Sequence, residues 1–206
     1  MYQQDQEREE KLREDQQYRE QQRVLFKDIG VTTYVLERHP FGSEFDGGED
    51  EEYEWDVWLE VNQSPILWIR VPEYNQPYNF YVTDARISVD FPRVTIWLEN
   101  FVTKSFPFFG KVINSGIRWA VRSTFRGVNE EFSSIVAEYL NNDKDIMGQI
   151  VSCDECFHIL SDPNHGCWII SKGTYYHSEY DDRTISRKEW DCYQAVAKSL
   201  LEIPIS

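Results

Sequence analysis

Trp55-Asp-Val-Trp-Leu-Glu-Val61 alternates apolar and acidic residues, interrupted only at Trp58, and the chain repeats this habit in short pieces as far as Val102. Ile66-Leu-Trp-Ile-Arg-Val71, Asn79-Phe-Tyr-Val-Thr83, Arg86-Ile-Ser-Val-Asp90 and Val94-Thr-Ile-Trp-Leu98 are rich in β-branched and aromatic residues. Asn62-Gln-Ser-Pro65, Pro72 to Pro77, Thr83-Asp84 and Phe91-Pro92 separate them with turn formers. A period of two puts one side of each piece in a core. Links this short join antiparallel neighbours, because a parallel connection needs a crossover of a dozen residues or more. The stretch therefore predicts an antiparallel sheet of about five strands, with its Trp and Tyr residues packing one face.

Just upstream lies an acidic tract. Glu44, Asp46, Glu49, Asp50, Glu51, Glu52, Glu54, Asp56 and Glu60 follow one another with no Lys or Arg between Arg38 and Arg70. Gly47-Gly48 and the density of charge predict a loop over residues 43–56. The tract does not match a calcium-binding EF-hand loop: counted from Asp46, the sixth position is Glu51 where the sharp turn requires glycine. Before it, Thr32 to Arg38 is β-prone and His39-Pro-Phe-Gly42 breaks it.

Residues 1–29 read as a charged helical arm. Glu7 with Lys11, Glu9 with Arg13 and Asp15 with Arg19 are acid-before-base pairs four apart, the order that supports a helix. Leu12, Tyr18, Leu25 and Ile29 are too sparse for a coiled-coil seam, so the arm is expected outside the core. Asp28-Ile-Gly30 marks its end. Such an arm offers a route to homo-oligomers or to ordering on a partner chain.

Downstream, Lys111 to Arg126 reads as an amphipathic helix. Lys111, Arg118, Arg122 and Arg126 fall within about 80° of one another at helical spacing, opposite Ile113, Ile117, Ala120 and Val121. This basic stripe is the electrostatic exception, since no acid stands between Glu99 and Glu130. A second helix is expected from Asn129 to Asn141, with Asn141 to Asp145 as its exit. Ser186-Arg-Lys-Glu189 is a capping box that opens a last helix over 186–202, with Trp190, Tyr193, Val196, Ala197 and Leu200 on its apolar face.

Between these helices stands the one motif with specific chemistry, Cys153-Asp-Glu-Cys156 followed by His165-Gly-Cys167. Its spacing allows Cys153, Cys156, His165 and Cys167 to converge on one structural zinc ion, with Asp162-Pro-Asn164 as the turn between the pairs. Ile150-Val151 and Trp168 to Ser171 read as strands on either side, making a zinc-hairpin-like segment over 150–171. Four protein ligands leave no open coordination position, so this zinc would hold the fold rather than catalyse. Ordinary buried thiols are the competing reading. Cys192 reads as a helix-face thiol.

The whole is an α+β chain: the arm at 1–29, then a single domain over 30–206 in which the sheet packs against two to three helices. Its 206 residues carry a formal charge of −15, which disfavours direct binding to nucleic acid or an anionic membrane and favours basic partners. No run of eighteen apolar residues is present. The start of the chain lacks a secretory pattern, and the cysteine usage suits a reducing compartment, so a cytoplasmic protein is expected. Phosphate-binding, dinucleotide, hydrolase-elbow and zinc-protease motifs are missing from the sequence. Three function classes stay open. The first is an inhibitor or adaptor whose residues Glu49, Asp50, Glu51, Glu52, Glu54 and Asp56 hold a basic or nucleic-acid-binding protein, in its strongest form as a DNA mimic. The second is a virion or assembly component, and the third an enzyme whose site is not legible.

Overall fold

The computed structural model describes residues 2–41, 56–71, 78–104, 119–127, 131–152, 157–172 and 185–204. In chain order these form α1 (Tyr2–Asp28), β1 (Thr33–Val35), β2 (Val57–Val61), β3 (Trp68–Val71), β4 (Asn79–Thr83), β5 (Thr95–Lys104), β6 (Trp119–Gly127), α2 (Glu131–Asn142), α3 (Lys144–Ser152), β7 (Phe157–Asp162), β8 (Cys167–Lys172) and α4 (Arg187–Glu202). The eight strands make one sheet in the order β1-β2-β3-β4-β8-β7-β5-β6. Every pairing in it is antiparallel.

The predicted α+β class and antiparallel sheet hold, but the strands differ from expectation in number and membership. The first four follow one another as expected. The β7–β8 hairpin then inserts between β4 and β5, so the cysteine segment is a central part of the sheet and not an appendage. Arg86 to Asp90, expected as a strand, is a turn. The Asp84 carboxylate accepts from the Arg86 amide (3.0 Å) and the Asp84 carbonyl from the Ile87 amide (2.9 Å), a local arrangement that competes with ladder bonds.

Ile150-Val151, expected as strand, ends α3 instead. Asp143 starts that helix: its Oδ1 accepts from the amides of Asp145 (3.0 Å) and Ile146 (3.1 Å). Residues 119–126 of the expected basic helix lie instead in strand β6, paired with β5 from Ile96↔Gly127 to Lys104↔Trp119. Trp119-Ala-Val-Arg-Ser-Thr-Phe-Arg126 is compatible with either period over so short a run, and the neighbouring strand decides between them.

Alternation along the strands sorts two faces. Val57, Leu59, Val61, Ile69, Val71, Phe80, Val82, Ile96, Leu98, Ile159, Trp168 and Ile170 are buried in the main core. α4 lies against them as its apolar face predicts, with Phe80 stacked on Tyr193 at 4.6 Å. Its capping box is present: Ser186 Oγ accepts from the Glu189 amide (3.2 Å) and the Glu189 carboxylate from the Ser186 amide (2.6 Å). Cys192, read as a helix-face thiol, belongs to this core at 2 % exposure.

The arm is not wholly outside the core. Tyr18, Gln22, Phe26 and Ile29 repeat at three- to four-residue spacing and turn inward; Phe26 is 2 % exposed, with its ring 6.1 Å from that of Trp190. A count of apolar residues leaves out Gln22, although its stem can be buried. α1 stops where expected: Gly30 takes a left-handed φ of 78°, and the Val31 amide returns to the Phe26 carbonyl at 2.9 Å. Before Tyr18, Glu10, Arg13, Glu14, Gln16 and Gln17 are exposed.

A carboxylate at the end of β4 ties these layers. Asp84, 4 % exposed, accepts from the Trp168 indole (3.0 Å) and from Arg86 Nε (2.8 Å) and Nη2 (2.7 Å). Arg86 also donates to the carbonyls of Leu200 (3.0 Å) and Ile203 (2.6 Å), closing the end of α4. Burial pushes the Asp84 carboxyl up, but the hydrogen bonds from Arg86 and Trp168 outweigh it and hold the group below the usual carboxylate range. A pKa depressed in this way adds stability above the unfolded value of about 3.9 and loses it as the pH falls through the folded one. Asp84→Ala is expected to cost about 3 kcal/mol in chemical denaturation at pH 7, and the variant should lose less further stability than wild type below about pH 4.

The anchored arm gives a second expectation. Phe26→Ala should cost about 3 kcal/mol, whereas removing residues 2–17 should move the melting temperature by no more than about 2 °C.

Candidate functional site

The sheet's other face carries different chemistry. Trp58 on β2, Tyr81 on β4 and Cys167 on β8 are buried together there, with Leu36, Phe41, Trp68 and Ile169 packed against them. Phe41 is the centre of this group, although it belongs to no strand. Its ring lies 5.1 Å from Trp68 and 6.1 Å from Trp58, both edge to face, and 5.6 Å from Tyr81 and 4.4 Å from His165, both tilted. Each such pair contributes about 0.5–1.5 kcal/mol beyond burial. His39 closes the group from above, its ring 4.4 Å from that of Trp58.

Charged groups border the cluster. Arg70 Nε donates to Asp56 Oδ2 at 2.5 Å, with both side chains mostly covered. His165 Nδ1 lies 2.6 Å from Asp162 Oδ2, while Asp162 Oδ1 accepts from the Asn164 amide at 3.1 Å. That fixes the predicted turn at Asp162-Pro163-Asn164. Burial pushes the Tyr81 hydroxyl and the Cys167 thiol each up to about 12, so both are neutral near pH 7.

The same face extends across the sheet as a row in register. Trp58, Arg70, Asn79, Ser171, His158, Trp97 and Arg126 stand opposite one another on successive strands. Ser171 Oγ donates to Asn79 Oδ1 at 2.6 Å, and the Trp97 ring lies 3.9 Å from that of His158, which burial makes less basic. Trp97 is 46 % exposed. Nothing in the sequence singles out this row, because it exists only once non-consecutive strands are aligned. A shallow groove of about 630 Å³ beside α3 and α4, lined by Gln149, Arg187, Lys188 and Asp191, lies elsewhere; Arg187 and Asp191 pair within it at 2.9 Å.

The expected site residues divide among these surroundings. Glu49, Asp50, Glu51, Glu52 and Glu54 lie outside the described residues, as do Cys153, Cys156, Lys111 and Arg118. Asp56 is paired with Arg70. Arg122 and Arg126 are on β6, opposite Phe101 and Trp97, not on a helix. His165 and Cys167 are near the turn, both beside the aromatic cluster.

The four-ligand zinc site lies partly outside the described residues, which do not include Cys153 and Cys156. Among the described residues no group of His, Cys, Asp and Glu is placed to hold a metal. No helix among them is long and apolar enough to cross a membrane.

No protein-family model, curated protein or solved structure matches this chain. Its function has to follow from its own geometry.

Metal analysis of protein purified without chelator tests the spacing-based site: one equivalent of zinc is expected, lost in Cys153→Ser, and less than about a tenth of an equivalent would overturn it. Cys167→Ser should cost about 1–3 kcal/mol with or without metal, through burial of a hydroxyl among aromatic rings.

Proposed function

We propose that this chain is a non-enzymatic interaction factor, an inhibitor or adaptor that holds a basic or nucleic-acid-binding protein on the acidic tract of residues 43–56. In its strongest form it mimics DNA, offering spaced carboxylates to a surface built for phosphates. The observation that carries the reading is the seating of the tract's two ends. Phe41 precedes it and Asp56 and Trp58 follow it; all three are fixed on the aromatic face, with the Phe41 and Trp58 rings 6.1 Å apart. A charged loop held at both ends by a rigid sheet loses less freedom on binding than a free tail would. Phe41, Trp58, Trp68 and Tyr81 supply the rigid base, and Asp56 acts as an anchor through Arg70 rather than as a free charge.

The alternative partner for these acids is the basic stripe of the same molecule, of which Lys111 and Arg118 lie outside the described residues.

Replacing Glu49, Asp50, Glu51, Glu52 and Glu54 together by Gln or Asn tests the proposal, with poly-L-lysine as the basic probe. Association is expected to slow at least about tenfold at low salt, with the gap closing as salt rises. Melting temperature should not change. An unchanged on-rate at low salt would overturn the reading, whereas a lower melting temperature with new retention on DNA would identify the intramolecular account.

A further inference from the structure

We infer that Asn79, Ser171, His158 and Trp97 form a binding site for a neutral oligosaccharide, with the Trp97 indole as platform for a sugar ring and the other three side chains as partners for its hydroxyls. The inference is independent of the acidic tract, none of whose residues enters the site.

Register brings the four side chains together. Asn79 on β4 stands opposite Ser171 on β8, Ser171 opposite His158 on β7, and His158 opposite Trp97 on β5. Residues directly opposite project from the same side of a sheet. This side faces away from the helices, whose buried apolar residues belong to the core on the other side. Trp97 is exposed there, whereas Trp58, Trp68, Trp168 and Trp190 are buried or half-buried. A lone exposed apolar residue needs no explanation. This one ends a row that has hydrogen-bonding capacity left over.

That capacity can be counted atom by atom. Ser171 Oγ donates to Asn79 Oδ1 at 2.6 Å, which uses the hydroxyl hydrogen and one lone pair of the amide oxygen. The Ser171 oxygen can still accept, and the Asn79 amide nitrogen has two hydrogens to donate. His158 makes no hydrogen bond among the described residues; its contact is the Trp97 ring, 3.9 Å away and tilted by 38°. Burial makes this imidazole less basic, so near pH 7 one ring nitrogen donates and the other accepts. A hydroxyl is donor and acceptor at once, and it can pair with any of the three.

Charge selects the ligand class. None of the four side chains is charged near pH 7, and the chain as a whole carries −15. Arg126 is next in register on β6 and Glu99 stands two residues along β5 from Trp97, so the charged positions beside Trp97 on these strands are of opposite sign. A nucleobase could stack on the indole, but its phosphates call for several cations to displace their counterions. A sugar needs none. One side of a pyranose presents C–H groups to the electron-rich face of the indole, while its rim carries hydroxyls. From Asn79 to Trp97 the row crosses β8 and β7, a span of about 14 Å. That exceeds one sugar ring and suits a short chain of them.

NMR titration of the full chain tests this, with cellotriose, maltotriose, mannotriose and chitotriose as probes. At least one is expected to move the Trp97 indole signal, identified by its loss in Trp97→Phe, together with the Asn79 side-chain amide. The shifts should saturate, with a midpoint that does not depend on salt. Trp97→Ala should weaken that binding at least about tenfold, and Asn79→Ala about three- to tenfold. If Trp97→Ala does not fold, the wild-type shifts and Asn79→Ala decide. The proposal is overturned if none of the four sugars moves the Trp97 signal, if a sugar binds but shifts only signals outside the row, or if folded Trp97→Ala binds as well as wild type. Decathymidylate is titrated alongside. Tighter binding to Trp97 by decathymidylate than by every sugar, weakening as salt rises, would also overturn it and make the indole a platform for bases.

Discussion

The buried carboxylate of Asp84 is the constraint on which the architecture turns. It sits at the end of β4, where the chain must leave the sheet, and it gathers partners that would otherwise belong to separate layers. Its amide reaches the Gly166 carbonyl of the β7–β8 turn at 2.9 Å, its side chain holds the Trp168 indole, and Arg86 carries its charge to the last carbonyls of α4. Gly166 fits there because its φ of 61° suits glycine and because a side chain would come within 3.3 Å of the Ile87 carbonyl. An unpaired carboxylate this deep would cost several kcal/mol, so each partner is required by the others. The result fixes the inserted hairpin, the crossing of α4 and the turn that replaces a strand.

Insertion of that hairpin then creates the two faces. One face is aliphatic with large aromatic plugs, and it is covered by α2, α3, α4 and the inner turns of α1. The other collects Trp58, Trp68, Tyr81, His158, His165 and Trp97 from strands that are distant in sequence. Stacking and edge contacts make the Trp58 end rigid, and the loop segment of His39 and Phe41 locks onto it. The acidic tract leaves from and returns to this end.

Local patterns with local causes are legible in the amino-acid sequence. Period-two alternation in 55–71 and 79–83 locates the first strands, and the Ser186 capping box locates α4 to within a residue. The turn at Asp162-Pro163-Asn164 is equally local. Expectation and structure part where local signals are balanced. Residues 119–127 suit a helix or a strand, Arg86 to Asp90 alternates like a strand, and Ile150-Val151 is apolar in either form. A distant partner, β5, breaks the tie for 119–127, whereas the other two are decided by the neighbouring carboxylates of Asp84 and Asp143, the latter also accepting from Ser199 Oγ at 2.7 Å. The cysteine spacing suggests a ligand set because spacing carries no register; the described part of that segment puts His165 and Cys167 beside the aromatic cluster.

By itself the sequence determined the class of the protein, its charge layout and the start and stop of its well-marked elements. These follow from composition, capping chemistry and hydrophobic period, which act over a few residues. Only the tertiary structure decided strand order, the burial of Phe26 and Gln22, and the joining of His39, Phe41, Trp58, Tyr81 and His165 into one cluster. Those depend on pairings between residues far apart in the chain, and a pairing is favoured or rejected by what it buries on both sides at once, which neither partner's own sequence encodes.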